Sequence, residues 1–239
     1  MKKIIILLPI IAIAFAFFFT SCDKEKTKEE PNKVVSIDIN KLPVYYNGVK
    51  MNCTLENFKK PASRSGDAED VSIAEDEAIY IFDEDAAFYD YCVDRENITM
   101  YETTKKLDSI HAKAVELGIT ELGEEYPIPT AMYNYYTQIF NVASTPSPTR
   151  GIVGTLYAEQ FCQSKLRDFF PLFHWNFGPS VNKARSYSII GPVGLNWMCT
   201  KTWFGGDKLL LAFAGYQVFK IDALPPKFDK KLCSSFGLF

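Results

Sequence analysis

The side chains best suited to chemistry in this 239-residue chain are six cysteines and two histidines. A cysteine nucleophile needs a base in reach, and only His111 and His174 could serve. His111 sits between Ile110 and Ala112 on a helical stripe and reads as a packing or surface residue. His174, in Phe173-His174-Trp175, reads as structural. No Cys-x-x-Cys spacing occurs, so a zinc or thioredoxin-like site lacks its ligands. Gly-x-Ser-x-Gly, His-Glu-x-x-His and P-loop patterns are also missing. Glu75-Asp76-Glu77 and Asp83-Glu84-Asp85 offer oxygen ligands without the central glycine of an EF-hand loop. The second run suits the start of a helix. Glycoside hydrolysis needs two carboxylates whose spacing is set only in three dimensions, and nothing singles out a pair. No catalytic residue is expected, and no enzyme.

One cysteine has a context of its own. Met1-Lys2-Lys3 precedes an uncharged apolar run from Ile4 to Phe19, 16 residues long. A spanning helix needs roughly 20 such residues, so the run suits a secretory signal better than a permanent anchor. Phe19-Thr20-Ser21-Cys22 follows, and it resembles a bacterial lipobox with Phe19 where leucine is usual. The resemblance implies cleavage after Ser21 and a lipid thioether on Cys22. Residues 1–21 are then a lipoprotein signal peptide. Residues 22–33 form a charged tether, in which the stretch from Asp23 to Pro31 is almost all charge and cannot bury apolar surface. Lys28-Glu29-Glu30 resembles the short charged signal that sends some lipoproteins to the outer face of the outer membrane, and a plain spacer explains it equally well. The expected location is the cell envelope, at the outer membrane, with the lipid on Cys22 as membrane partner.

Export favours disulfides, but Cys53, Cys92, Cys162, Cys199 and Cys233 are an odd set. At least one thiol stays free or pairs between chains. Apolar surroundings (Tyr91-Cys92-Val93, Trp197-Met198-Cys199) favour buried thiols for most of them. A bridge within residues 151–239, such as Cys162 with Cys199, stays open.

Composition bounds the rest. The chain is 47% hydrophobic, 15% aromatic and 23% charged, with a net charge of −3. Losing Lys2 and Lys3 with the signal leaves 24 basic against 29 acidic residues, or −5. An acidic chain has no electrostatic footprint for nucleic acid.

The elements that must position these groups change character along the chain. Residues 34–39 alternate as a half-buried strand does. Asn47-Gly48 accepts positive φ at both turn positions and predicts a type I′ hairpin. Residues 59–70 read as a loop, and 78–82 as a short strand. Ala86, Phe88, Tyr89 and Cys92 begin a helical stripe. Thr99 and Glu102 make a capping box for a helix carrying Met100, Leu107, Ile110, Ala114 and Leu117, and Gly118 stops it. Thr130 is expected to cap a further helix with Met132, Tyr136, Ile139 and Phe140. Residues 34–142 are therefore expected to be an α+β domain. Residues 143–150, polar and Pro-containing, are expected to be a linker.

Beyond the linker a weak repeat runs through residues 151–239. Its clearer copy has Asn196 to Gly206, then Lys208 to Phe213, Ile221 to Pro225, and Phe228 to Ser235. The fainter copy has Leu156 to Gln163, then Leu166, Phe169 and Phe170, and Asn182 to Ser188. This resembles a pair of βγ-crystallin Greek-key motifs, with Gln163 where the corner glycine is expected and Met198 where an aromatic is. The resemblance implies an all-β Greek-key sandwich of about eight strands in two facing sheets. It also implies one calcium site per motif. Aligning the last serines puts Asn182 and Ser186 in the first site and Ser234 and Ser235 in the second. Lys230 and Lys231 stand where the second site needs its acidic or amide ligand, and Arg185 stands near the first. Calcium binding is therefore expected to be weak or lost, and no cofactor is expected.

Phe170, Phe173, Trp175 and Phe177 lie in an unusually aromatic stretch. Exposed, they would be a patch for a protein or carbohydrate ligand; buried, they are sandwich core, which is the favoured reading. The function expected is a lipid-anchored, non-enzymatic binding or structural module. A crystallin-like protease inhibitor is the first alternative, and a carbohydrate-active enzyme or carbohydrate binder the second.

Overall fold

Leu209, Leu210 and Leu211 feed two different cores. Leu209 and Leu211 pack with Leu156 and Phe219, whereas Leu210 packs with Trp197, Phe236 and Leu107. Successive strand side chains point to opposite faces, so an unbroken apolar run marks a sheet covered twice. The computed structural model describes residues 33–61, 69–75, 77–123, 126–142, 153–169, 173–191, 194–213 and 217–238. The expected signal peptide, Cys22, nearly all of the tether, the linker at 143–150 and Phe170 lie outside the described residues.

The protein is rich in sheet. Five strands run in the order β1 (Lys33–Ile37), β12 (Gln217–Ile221), β9 (Ser186–Gly191), β6 (Val153–Tyr157), β7 (Lys165–Phe169). Eight more run β3 (Val49–Thr54), β2 (Pro43–Tyr46), β5 (Ile79–Phe82), β4 (Val71–Ala74), β11 (Lys208–Phe213), β10 (Gly194–Cys199), β13 (Ser234–Leu238), β8 (Phe173–His174). Within residues 153–238 the two sheets share one plan. β6 lies between β7 and β9, and β10 lies between β11 and β13, all antiparallel. The third strand of each set crosses over: β12 pairs with β9, and β8 with β13. This is a doubled Greek key with exchanged third strands, as the repeat predicts.

The N-terminal strands do not make a domain of their own. β1 joins the first sheet parallel to β12, and β4 joins the second parallel to β11. Lys33–Phe239 form one compact unit, so the expected division at 143–150 gives way to two sheets built from both sides of it. The reason is hydrogen bonding: β11 and β12 would otherwise be open edges, and the N-terminal strands close them.

Helices α1 (Asp85–Asp94), α2 (Ile98–Glu116) and α3 (Thr130–Phe140) belong to the core on the outer face of the larger sheet. Met100, Leu107, Ile110 and Ala114 are buried as the stripe predicts, while Leu117 is exposed. The expected caps shift. Asn97, not Thr99, precedes α2, and Pro129 precedes α3 with Thr130 as its first residue. Neither cap makes a side-chain hydrogen bond. Gly118 takes φ +66 just past α2, and Asn47 and Gly48 take φ 46 and 80 between β2 and β3. Both turns form as predicted.

Candidate functional site

The residues singled out as calcium ligands do structural work. Ser186 Oγ donates to Glu159 O at 2.5 Å and accepts from the Cys162 N–H at 3.1 Å. Ser234 Oγ donates to Lys201 O at 2.7 Å and accepts from the Phe204 N–H at 3.1 Å. Each serine thus locks the bent hairpin of its own motif at matching points. The backbone agrees, since Phe161, Cys162 and Ser164 have positive φ, as do Trp203, Phe204 and Gly206. Asn182 N–H donates to Leu232 O at 3.1 Å, and Lys230 N–H donates to Ala184 O at 2.8 Å. These reciprocal bonds make Ser186 the counterpart of Ser234 rather than of Ser235, one residue off the expected register. A one-residue step turns a strand side chain to the other face. Ser235 Oγ accordingly accepts from Asn196 Nδ2 at 3.0 Å, and Asn196 Oδ1 accepts from the buried Tyr187 hydroxyl of the facing sheet.

The two hairpins differ in what covers them. Trp203 is 1% exposed, stacks on Trp175 at 4.4 Å and donates its indole N–H to Ile119 O. Gly205 meets α2 so closely that an added Cβ would sit 2.3 Å from the His111 ring. Its φ is −86, so the corner glycine is required here for close approach, and positive φ falls on Gly206. Gln163 fills the equivalent place in the other hairpin, where no such helix approaches. There Phe161, the counterpart of Trp203, is 66% exposed. Exposed or not, the aromatic stretch expected as a patch splits: Trp175 and Phe177 are buried and Phe173 is half-buried against Tyr136 and Phe204. The patch is core.

Burial disfavours the thiolate form at Cys92, Cys162, Cys199 and Cys233. All five described cysteines are free, and Cys162 lies beside Tyr187 O, unbridged to Cys199. Burial pushes Cys92 and Cys233 up to about 11 and Cys199 to about 12. His111 Nδ1 lies 2.9 Å from Thr202 O, and burial lowers its pKa.

What remains open is a pair of clefts that sequence reasoning missed. The first, of about 340 Å³, lies between residues 55–60 and 225–228, over the inner face of β4 and β5. Leu55, Phe58, Ile79, Ile81 and Phe228 line its apolar part. At its polar end Lys60 Nζ lies 3.1 Å from both Asp70 and Asp83, and Lys227 Nζ pairs with Asp70 and with Asp207 at 2.8 Å. The charged side chains that line the cleft itself, Glu56 and Asp70 against Lys60 and Lys227, balance. Asp83 also accepts from Tyr46 at 2.5 Å and Asn47 at 2.6 Å. Burial alone would raise its pKa, but these hydrogen bonds and Lys60 bring it down to about 2. Ser72 is 3% exposed, lines the cleft, and makes no side-chain hydrogen bond among the described residues.

The second cleft, of about 320 Å³, shares Glu56 and Pro226 with the first and is lined by Asp38, Asn40, Phe161, Asp222 and Asp229. The residues came from segments read as loops or strand ends, far apart in sequence. Only parallel pairing of β1 with β12 brings Asp38 beside Asp222.

No family model matches the chain, and no curated protein matches it. Among solved structures, the N-terminal domain of protein S is 15% identical over 37% of this chain and 94% of that one, with a TM-score of 0.29. A structure described under the evolution of the eye lens βγ-crystallin domain fold is 14% identical over 40% and 93%, with a TM-score of 0.31. The class defined by strand order and the paired serine locks is a Greek-key β-sandwich. That assignment rests on the geometry above.

Proposed function

We propose that the protein is a lipid-anchored, non-enzymatic binding module of the bacterial cell envelope, with the crystallin-like sandwich as its scaffold. The observation that carries the reading is the apolar cleft over Ser72. A concave, mostly apolar site of a few hundred Å³ with a few convergent polar groups is the usual form of a binding site. The lipobox residues ending in Cys22 and the charged segment behind them support the anchor. The cysteines with raised pKa values and the engagement of His111 with Thr202 favour binding over catalysis. The hydroxyls of Ser186, Ser234 and Ser235 are committed to internal hydrogen bonds, which favours a sandwich without tight calcium sites.

Two experiments test this. Metabolic labelling with palmitate should mark the wild-type chain and not the Cys22→Ala variant; label retained by the variant contradicts the anchor. A soluble chain of residues 23–239, which contains the whole compact unit, should take up the neutral fluorophore Nile red. Ser72→Leu should fill the cleft and abolish that uptake. Equal uptake by both chains would place the dye elsewhere.

A second reading draws on one feature. Phe161 projects from a hairpin pinned by Ser186 and by its own N–H to Asp222 O at 2.6 Å. A rigid projecting loop suits a protease inhibitor. Titration against secreted serine and metalloproteases decides it, and failure to inhibit any removes it.

A further inference from the structure

We infer that the two joined clefts take one ligand: an extended, basic segment of another protein. An apolar side chain enters over Ser72, and a neighbouring lysine or arginine lies in the second cleft beside Phe161. The inference rests on the binding reading above and names its partner class.

Three observations point to such a ligand. First, Ser72 is 3% exposed and lines the apolar cleft, and its hydroxyl, open to the cleft, has no hydrogen-bond partner among the described residues. A ligand backbone N–H or C=O would satisfy it. Second, Asn40 Oδ1 is buried with no hydrogen-bond partner, although its Nδ2 donates to Ala223 O at 3.1 Å. An orphaned acceptor calls for a donor. Around it stand four carboxylates. Asp38 pairs with Lys41 and Asp229 with Arg185, but Asp222 accepts only from neutral Ser36, and Glu56 only from Asn57, among the described residues. Negative charge with an unfilled acceptor fits an ammonium or guanidinium group, which brings its own N–H donors. Among the described residues no three His, Cys, Asp or Glu side chains converge to hold a metal, so a larger cation suits the cleft better than a bare ion.

Third, Phe161 stands uncovered where its counterpart Trp203 is covered. The chain's own Trp175 and the segment after α2 close over the Trp203 hairpin. Nothing among the described residues does so for Phe161, which is 66% exposed and held at φ 58. An aromatic face at the rim of an acidic cleft can pack the stem of a lysine or stack an arginine. Because the clefts meet at Glu56 and Pro226, one extended chain can reach both, which a small polyamine with no apolar part would not use.

The test is fluorescence anisotropy with the soluble chain of residues 23–239. The probes are a labelled, end-blocked octapeptide of alternating valine and lysine and its valine–glutamate counterpart. The lysine peptide should bind and weaken several-fold between low and moderate salt, while the glutamate peptide should not bind. Asp222→Asn keeps the acceptor for Ser36 and should weaken binding about five-fold, the upper range for one partly exposed ion pair. Phe161→Gly should weaken it comparably without lowering the melting temperature. Spermidine should fail to displace the peptide. Equal binding of both peptides, no lysine-peptide binding, indifference to both variants, or full displacement by spermidine would each overturn the inference. Nile red uptake separates the failures: uptake without peptide binding sinks this inference alone, and loss of both sinks the binding reading too.

Discussion

Ser186 and Ser234 hold matching hairpins in the same way, each donating to a carbonyl and accepting from the N–H three residues further on. Both serines are fully buried. Replacing either by alanine removes the partner of one backbone N–H and one backbone C=O at once. Each variant should lose about 1–3 kcal/mol of stability, read by urea denaturation with an unchanged slope. Ser235→Ala should cost less, because Asn196 Nδ2 keeps Phe236 O as a partner. Equal losses at Ser234 and Ser235 would contradict the pairing of Ser186 with Ser234.

Phe161 and Trp203 occupy equivalent backbone positions, with φ 58 and 53. Their glycine variants should nevertheless move stability in opposite directions. Phe161→Gly relieves left-handed strain and exposes little, so it should stabilise by up to about 1 kcal/mol. Trp203→Gly relieves the same strain but empties a packed site under Trp175, and should cost about 3 kcal/mol or more. Thermal melts of the two variants check the sign.

Asp83 supplies a pH dependence. Its folded pKa is depressed to about 2 from 3.8, so its contribution is present above the unfolded value and is lost as pH falls from about 4 towards 2. Asp83→Asn should show a lower melting temperature at pH 7 and a flatter decline between pH 4 and 2 than wild type. Parallel profiles would mean that the Tyr46, Asn47 and Lys60 contacts do not hold the carboxylate ionised.

Calcium should leave the melt unchanged. Lys230 and Lys231 stand in the segment where the second site is expected, and Ser234 and Ser235 are already bonded inside the protein. Melts of residues 23–239 with calcium and with chelator should coincide. A rise with calcium that Asn182→Ala abolishes would contradict this.

Much of the fold can be read from local pattern. Asn47-Gly48 sets its hairpin through backbone freedom alone, and Met100, Leu107, Ile110 and Ala114 mark the buried face of α2 by spacing. The doubled Greek key is visible because the segments opening at Asn196 to Gly206 and at Leu156 to Gln163 share one order of features. The joins are not visible. Parallel pairing of β4 with β11 links Val71 to Lys208, and no local signal marks a partner so far along the chain. The run Leu209-Leu210-Leu211 was the one hint, since a sandwich sheet open to water on one side alternates. The clefts were hidden for the same reason, as Ser72 and Phe228 line one and Asp38 and Asp222 the other from segments far apart in sequence. In the aromatic stretch from Phe169 the favoured core reading fits Phe177 and Trp175, which are buried where two cores meet around β8.

The most direct measurement is hydrogen exchange of residues 23–239 with and without the valine–lysine peptide. The account predicts slowed exchange in residues 38–41, 55–60, 158–162 and 222–229, and none in the helices. Protection confined to α1–α3 or to residues 173–177, or no protection anywhere, would contradict it.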